Sequence, residues 1–317
     1  MRKFRIFFNR LIGSLAVARG ESKPVYLWYD IVNLQKGRIS MPLCTTEQML
    51  KNAKASRTAV GAFNVENMEM AQAVIAAAEA ENSPVILQTS SGTAKYAPLP
   101  VFVAMVSAMA NAASVPVALH LDHADEALVL EALSAGYSSV MYDGSKKPFE
   151  ENMLRTKEIV RAANALNIPV EAELGGIGGK EDDIEGQIDY TDPVQAAEFV
   201  KKTGVSSLAI AIGTMHGVYK TTPKLDIKRL EEINALVDIP LVLHGASGLN
   251  SEDLRNCIRA GICKINFGTD LRIAYTESIK EYMEQNPNKF DPRNYGKLAK
   301  ERVKEVTIEK LRIVNMK

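Results

Sequence analysis

The sequence predicts an α/β fold of the (β/α)8 TIM-barrel class, one domain with extra C-terminal helices, and three observations predict it. Eight short apolar, β-branched runs alternate with helical patterns of about 10 to 20 residues, as in a parallel sheet with crossover helices. A count of eight suits a closed barrel better than an open sheet. Each run also ends near polar or small residues, and in such barrels the C-terminal strand ends and the loops after them form the active face.

In chain order, "AVGAFNV" (59–65) carries Asn64 near its end and "PVILQTS" (84–90) ends on Ser90. "PVALHLDH" (116–123) ends on Asp122 and His123, "SSVMYDG" (138–144) carries Asp143, and "PVEAELG" (169–175) carries Glu173. "SLAIAIG" (207–213) leads into "GTMHG" with His216, "PLVLHGAS" (240–247) carries His244, and "KINFGTD" (264–270) carries Asn266 and Thr269. The stretches between them, such as "MEMAQAVIAAAEAEN", place apolar residues near the 3.6-residue period of a helix packed on one face.

Composition narrows the function classes. The 317 residues are 46% hydrophobic, enough for a sizeable core, and 38 Lys and Arg balance 38 Asp and Glu. No basic excess points to nucleic acid, and no apolar run approaches the roughly 20 residues of a membrane span, so a small-molecule partner is expected. Cys44, Cys257 and Cys263 are odd in number and lack Cys-x-x-Cys spacing. That usage fits a reducing compartment, the cytoplasm, rather than a disulfide scaffold.

Residues 1–40 differ from the rest: Arg2, Lys3, Arg5, Arg10, Arg19, Lys23, Lys36 and Arg38 stand against only Glu21 and Asp30. An organelle-targeting segment, a weak membrane-surface anchor and a start placed too early compete as explanations. The last is favoured, because Met41 opens "MPLCTTEQML" with a helix-capping threonine of its own at Thr45 or Thr46. Residues 1–40 are therefore expected to lie outside the fold and 41–317 to form the barrel.

His123, His216 and His244 arise at three strand ends, so their side chains can converge. Three imidazoles with an open coordination position is the pattern of a catalytic zinc. His120 lies within its strand and is read as structural. Asp122, beside a candidate ligand, suits a general acid or base, with orientation of a histidine as its alternative role. Glu173 and Asp143 are further ligands or partners of ligands. "GGIGGKEDDIEG" (175–186) reads as a mobile, carboxylate-bearing loop over the mouth, or as a plain solvated loop. "HGASG" and "NFGTD" offer backbone N–H groups and the hydroxyls of Ser247 and Thr269 where barrels commonly bind phosphate. A metal, a carboxylate and a phosphate cradle suit reactions that polarise a carbonyl and stabilise an enediolate, such as aldol cleavage of a phosphorylated ketose. The competing lysine Schiff base needs an inward lysine, and Lys264 is expected at the wrong end of its run.

From Met41 to the C-terminus, "GAFNVEN", "HLDH", "VEAELGGIGGKEDD", "AIGTMHGVY", "LVLHGASG", "KINFGTDLR" and "FDPRNY" together resemble the class II, zinc-dependent ketose-1,6-bisphosphate aldolases. The resemblance implies that His123, His216 and His244 hold zinc, with Glu173 and Asp143 near a second or transient metal position. It implies that Asp122 takes the C4 hydroxyl proton in cleavage and that Glu181 exchanges the C3 proton of the dihydroxyacetone phosphate half. Gly217, Gly245, Ala246, Ser247, Asn266, Phe267, Gly268 and Thr269 match segments that bind that half, with Asn64 and Ser90 nearby. Arg272 and Arg293 would serve the other phosphate, Arg293 from this or a neighbouring subunit. A monovalent cation, Na+ or K+, and a homo-oligomer, dimer or tetramer, are further implications. The extension has no counterpart in the family, and the stretch before "YTDP" is short. Fructose 1,6-bisphosphate is preferred over its C4 epimer tagatose 1,6-bisphosphate on general grounds. A non-catalytic sugar-phosphate-binding barrel and a zinc hydrolase on the same fold are the competing readings.

Overall fold

The apolar runs become eight parallel strands that close on themselves, as the fold-class expectation requires. The computed structural model describes residues 43–181, 184–186, 189–219 and 223–317. The expectations for residues 1–40 and for Met41 as a start lie outside the described residues.

Helix α1 (Thr46–Ser56) leads into strand β1 (Val60–Asn64), then α2 (Met68–Glu81), β2 (Val85–Thr89), α3 (Ser91–Tyr96), α4 (Leu99–Ala110) and β3 (Val117–Ala124). The chain continues through α5 (Glu126–Ala135), β4 (Ser139–Tyr142), α6 (Phe149–Asn164), β5 (Val170–Leu174), β6 (Gly178–Glu181) and β7 (Ile184–Gly186). It closes with α7 (Pro193–Thr203), β8 (Ser207–Ile210), β9 (Met215–His216), α8 (Ile227–Leu236), β10 (Leu241–Leu243), α9 (Ser251–Arg259), β11 (Ile262–Phe267), α10 (Thr269–Gln285) and α11 (Pro292–Val314). The barrel order is β1-β11-β10-β8-β5-β4-β3-β2, all pairs parallel.

Local chemistry sets where the helices start. Asn67, Asp125, Asp192, Asp226, Asn250 and Asp291 each accept a backbone N–H of the first turn, satisfying donors that have no partner inside the helix. Gly136 and Gly204 end α5 and α7 at positive φ, a conformation that glycine adopts without steric cost.

Period-two alternation divides the strands between two cores. Phe63, Leu87, Leu119, Leu121, Val140, Leu208, Leu243 and Ile265 face the surrounding helices in the main apolar layer. The alternate residues line the barrel axis. At the N-terminal mouth Val60, Ala62, Ile86, Ala118 and Cys263 pack against Met49, Leu50 and Ala53 of α1, which plugs that end. Burying those three side chains contributes a few kcal/mol at about 25 cal/mol per Å². Deeper, Met141, Ala209 and Val242 fill the centre. C-terminal helices α10 and α11 pack on each other and α11 lies along α2, as expected of extra elements outside the eight repeats.

Two features depart from the sequence expectation. The segment 175–186 carries a β-hairpin, with β6 antiparallel to β7 and parallel to β9. The final barrel strand starts at Ile262, not Lys264. A register shift sets Leu241 against Ile262 but Val242 against Lys264, and the Lys264 side chain is completely buried. Its ammonium lies inside the barrel, where no inward lysine was expected.

Candidate active site

Barrel strands β3 and β10 and the short strand β9 outside the barrel sheet bring the three histidines together at the C-terminal mouth. His123 sits near the end of β3, where the pairing with β4 shifts register between Leu121 and Ala124. Its φ of 41° is left-handed, a conformation that costs a non-glycine residue about 1–2 kcal/mol and persists only where neighbours enforce it. One such neighbour is Ser91, whose hydroxyl donates to the His123 carbonyl at 2.6 Å. The unusual backbone turns the imidazole toward the axis. His244 follows β10 directly, and His216 lies in β9, paired through Gly179 to the hairpin.

The three rings meet edge to face, with centroids 5.0 Å apart for His123 and His216, 4.5 Å for His123 and His244, and 6.0 Å for His216 and His244. One nitrogen from each lies within 4.8 Å of the others. Carboxylates fix the tautomers of two of them, because an ionised carboxylate only accepts. His123 Nδ1 is 3.0 Å from Asp143 Oδ2, with Glu173 Oε2 at 3.7 Å, and His244 Nε2 is 2.9 Å from Glu171 Oε1. Both of those nitrogens carry hydrogens, so His123 Nε2 and His244 Nδ1 present lone pairs, and these stand 2.7 Å apart. Two lone pairs at that distance repel unless a proton or a metal cation lies between them. The donor set therefore fits zinc, which takes neutral imidazole nitrogens oriented by carboxylates behind them. Burial, then the neighbouring His123, pushes the His244 pKa down to about 4, so it is neutral at physiological pH. Burial alone raises Asp143, yet its bonds to His123 and to Ser145 hold it well below the usual carboxylate range.

Asp122 is buried beside this cluster and is held by three carboxamides. Asn64 Nδ2 and Gln88 Nε2 both donate to Oδ2 at 3.1 Å, and Asn266 Nδ2 donates to Oδ1 at 3.0 Å. Gln88 also donates to Asn64 Oδ1 at 2.8 Å, which orders the set. The carboxylate is thus fixed in place on both of its oxygens.

Next to the histidines a small cleft is lined by Asn64, His216, Gly217, Gly245, Ala246, Ser247, Asn266, Gly268, Thr269 and Arg272. Ser247 Oγ accepts the N–H of Gly268 at 3.3 Å and of Asp270 at 3.4 Å, tying the two glycine loops together at the start of α10, a helix N-terminus that favours anions. Gly245 has φ of 65°, and a Cβ there would come 2.6 Å from the Met215 carbonyl oxygen. Arg272 reaches the same cleft and pairs with Glu66 at 2.8 Å.

Other expected residues lie elsewhere. Ser90 is buried as the N-cap of α3, and the Phe267 ring stacks on Phe63 in the outer core, leaving its backbone as its part of the loop. Arg293 is exposed at the start of α11, bonded to Asp291 at 2.7 Å. Glu181 ends β6, its backbone opposite Ile184. Sequence reasoning missed Glu171 and Gln88. Each stands two residues before a residue that it named, Glu173 and Ser90, so strand alternation was the available signal.

Residues 44–317 match the family model described as fructose-bisphosphate aldolase class-II. A crystal structure of the YdjI aldolase from Escherichia coli K12 is similar at a TM-score of 0.76 and 37% sequence identity, over 86% of this chain and 96% of that one. A crystal structure of fructose-bisphosphate aldolase from Campylobacter jejuni is similar at a TM-score of 0.76 and 27% identity, over 87% of this chain and 97% of that one. With three converging histidines at the mouth of a (β/α)8 barrel and a family match that spans nearly the whole described chain, the chain belongs to the class II fructose-bisphosphate aldolase family of lyases.

Proposed function

We propose that the protein catalyses zinc-dependent, reversible aldol cleavage of a ketose 1,6-bisphosphate, preferring fructose 1,6-bisphosphate, to dihydroxyacetone phosphate and glyceraldehyde 3-phosphate. The observation that carries the reading is the pair of carboxylate-fixed imidazole lone pairs of His123 and His244, with His216 and Asp122 beside them. His123, His216 and His244 hold the metal in this reading, and Asp143 and Glu173 orient His123 or serve a second metal position. When bound, zinc supplies a Lewis acid that draws electrons from the ketose carbonyl. Asp122 accepts the C4 hydroxyl proton as the C3–C4 bond breaks, and returns it in condensation. Glu181 delivers or removes the proton at C3 of the dihydroxyacetone phosphate half.

The cleft of Asn64, Gly217, Gly245, Ala246, Ser247, Asn266, Gly268 and Thr269 takes that half, with the Phe267 backbone as part of its loop. Its N–H groups and hydroxyls meet the phosphate, with Na+ or K+ beside it. Arg272 adds a cation to the same cleft, and Arg293 is the candidate for the second phosphate, in this chain or across a dimer or tetramer. Residues 41–317 are the catalytic unit, and the cytoplasm is its compartment. Among the described residues no helix is long and apolar enough to cross a membrane.

A coupled assay on fructose and tagatose 1,6-bisphosphates, with and without added zinc, tests this. Zinc-dependent turnover with the fructose epimer ahead is expected. Faster turnover of the tagatose epimer reverses the preference, and turnover of neither rejects the substrate class.

A further inference from the structure

Beneath the histidines, the barrel axis holds a continuous polar chain that runs from the active mouth to the plugged one. Glu171 Oε1 lies 2.9 Å from His244 Nε2, and Glu171 Oε2 lies 2.8 Å from Lys264 Nζ. Lys264 Nζ is 3.4 Å from His120 Nε2, and His120 Nδ1 is 2.8 Å from Ser139 Oγ, which is 2.9 Å from Thr46 Oγ1 of α1. Every member is buried, Lys264, His120 and His244 completely. Strands β3, β4, β5 and β11, the residue after β10 and the plug helix α1 converge to build it, and the proposed chemistry uses only His244, at its active-mouth end.

The order of donors follows from elementary rules. An ammonium only donates and a carboxylate only accepts. Lys264 therefore donates to both Glu171 and His120, so His120 Nε2 is a lone pair and its hydrogen is on Nδ1. Glu171 accepts from both sides, so the hydrogen of His244 is on Nε2. The two buried histidines are set in opposite tautomers by one ion pair.

We propose that Lys264 and Glu171 are a positioning pair that fixes His244 as the Nε2–H tautomer and aims its Nδ1 lone pair at the metal, while His120, Ser139 and Thr46 seat Lys264 from the opposite mouth. The proposal rests on the three-histidine reading and deepens it. Lys264 holds one Glu171 oxygen so that the other stays directed at His244 Nε2; without the lysine the carboxylate loses that anchor and can swing away, which releases the opposite tautomer. Partners behind a metal-binding histidine typically contribute about 10- to 100-fold in metal affinity.

The test uses metal-free full-length protein labelled with 15N-histidine, in which only four histidines report. Long-range 1H–15N spectra, assigned with single histidine variants, should show His244 protonated at Nε2 and His120 at Nδ1. In Lys264→Met, the Nδ1–H form of His244 should appear, and zinc affinity, measured by competition with a chelator, should fall about 10- to 100-fold. The double variant Glu171→Gln with Lys264→Met keeps an acceptor toward His244 and offers an amide N–H toward the His120 lone pair; it should regain most of the affinity lost in the single variant. A lowered melting temperature with the His244 tautomer unchanged and zinc affinity within about twofold of the parent would show a pair that only stabilises the barrel, and would overturn the proposal. So would a folded double variant as weak in zinc binding as Lys264→Met. His216→Ala separates the two readings: if it leaves zinc affinity unchanged, the three-histidine site fails, while the tautomer spectra still judge the pair.

Discussion

His123 Nε2 stands 2.7 Å from His244 Nδ1, and the carboxylates behind the two rings leave both nitrogens as lone pairs. That contact is repulsive without a shared cation, so metal affinity and activity are expected to be lost together. His216→Ala and His244→Ala should each lower zinc content and turnover in parallel, as measured by metal analysis and a coupled assay. Variants that keep full zinc yet lose turnover would remove these side chains from the ligand set.

Asp122 should behave differently. Asn64, Gln88 and Asn266 hold its two oxygens, and none of these residues belongs to the histidine cluster. In Asp122→Asn the shape is retained, but one new N–H faces existing donors and the proton acceptor is gone. Zinc content should remain at the parent level while turnover falls on the order of 10²–10⁴. A loss of less than tenfold would assign proton transfer to another group.

Much of this was legible because strand alternation writes the barrel into the sequence. All eight runs became barrel strands, and His123, His216 and His244 were recognisable as residues at strand ends or just beyond them. What could not be read depends on contacts between distant segments. Glu171 was visible two residues from Glu173, yet its partner Lys264 lies 93 residues away, on the inward face of β11 that it shares with Asn266. The 175–186 hairpin was hidden for a related reason. Glycine and acidic residues signal a loop locally, while pairing with β9 lies beyond the reach of a local pattern. Gln88 is apolar in its surroundings and polar only in its three-residue network with Asn64 and Asp122, which no single strand contains.

Acid should destabilise the metal-free protein in a defined window. Burial, then the charge of Lys264, holds His120 well below the ordinary imidazole value of about 6.5, and burial, then His123, lowers His244 to about 4. Both are neutral when folded and protonate near pH 6.5 when unfolded, so the unfolded state binds more protons below that pH. Stability is therefore full above about 6.5 and declines as pH falls toward 4, with a limiting slope of about 1.4 kcal/mol per pH unit for each histidine. Urea unfolding of metal-free protein at pH 7 and pH 5 measures it. Equal stabilities at the two values would mean that neither histidine is neutral in the fold.

An inward lysine raises the Schiff-base alternative directly, and the surroundings of Lys264 argue against it. An imine begins with a neutral amine that can reach the substrate carbonyl. Lys264 Nζ is completely buried and engaged 2.8 Å from Glu171 Oε2, so it is committed to an ion pair rather than free to attack. Glu171 also stands between that ammonium and His244, one oxygen on each, so Lys264 lies behind the carboxylate that supports His244. Two treatments distinguish the routes. A strong chelator should abolish cleavage and added zinc should restore it, while borohydride with dihydroxyacetone phosphate should leave the protein mass unchanged. If chelation spares activity and reduction adds a triose phosphate to Lys264, the amine is the electron sink and the three histidines only line the mouth of the barrel.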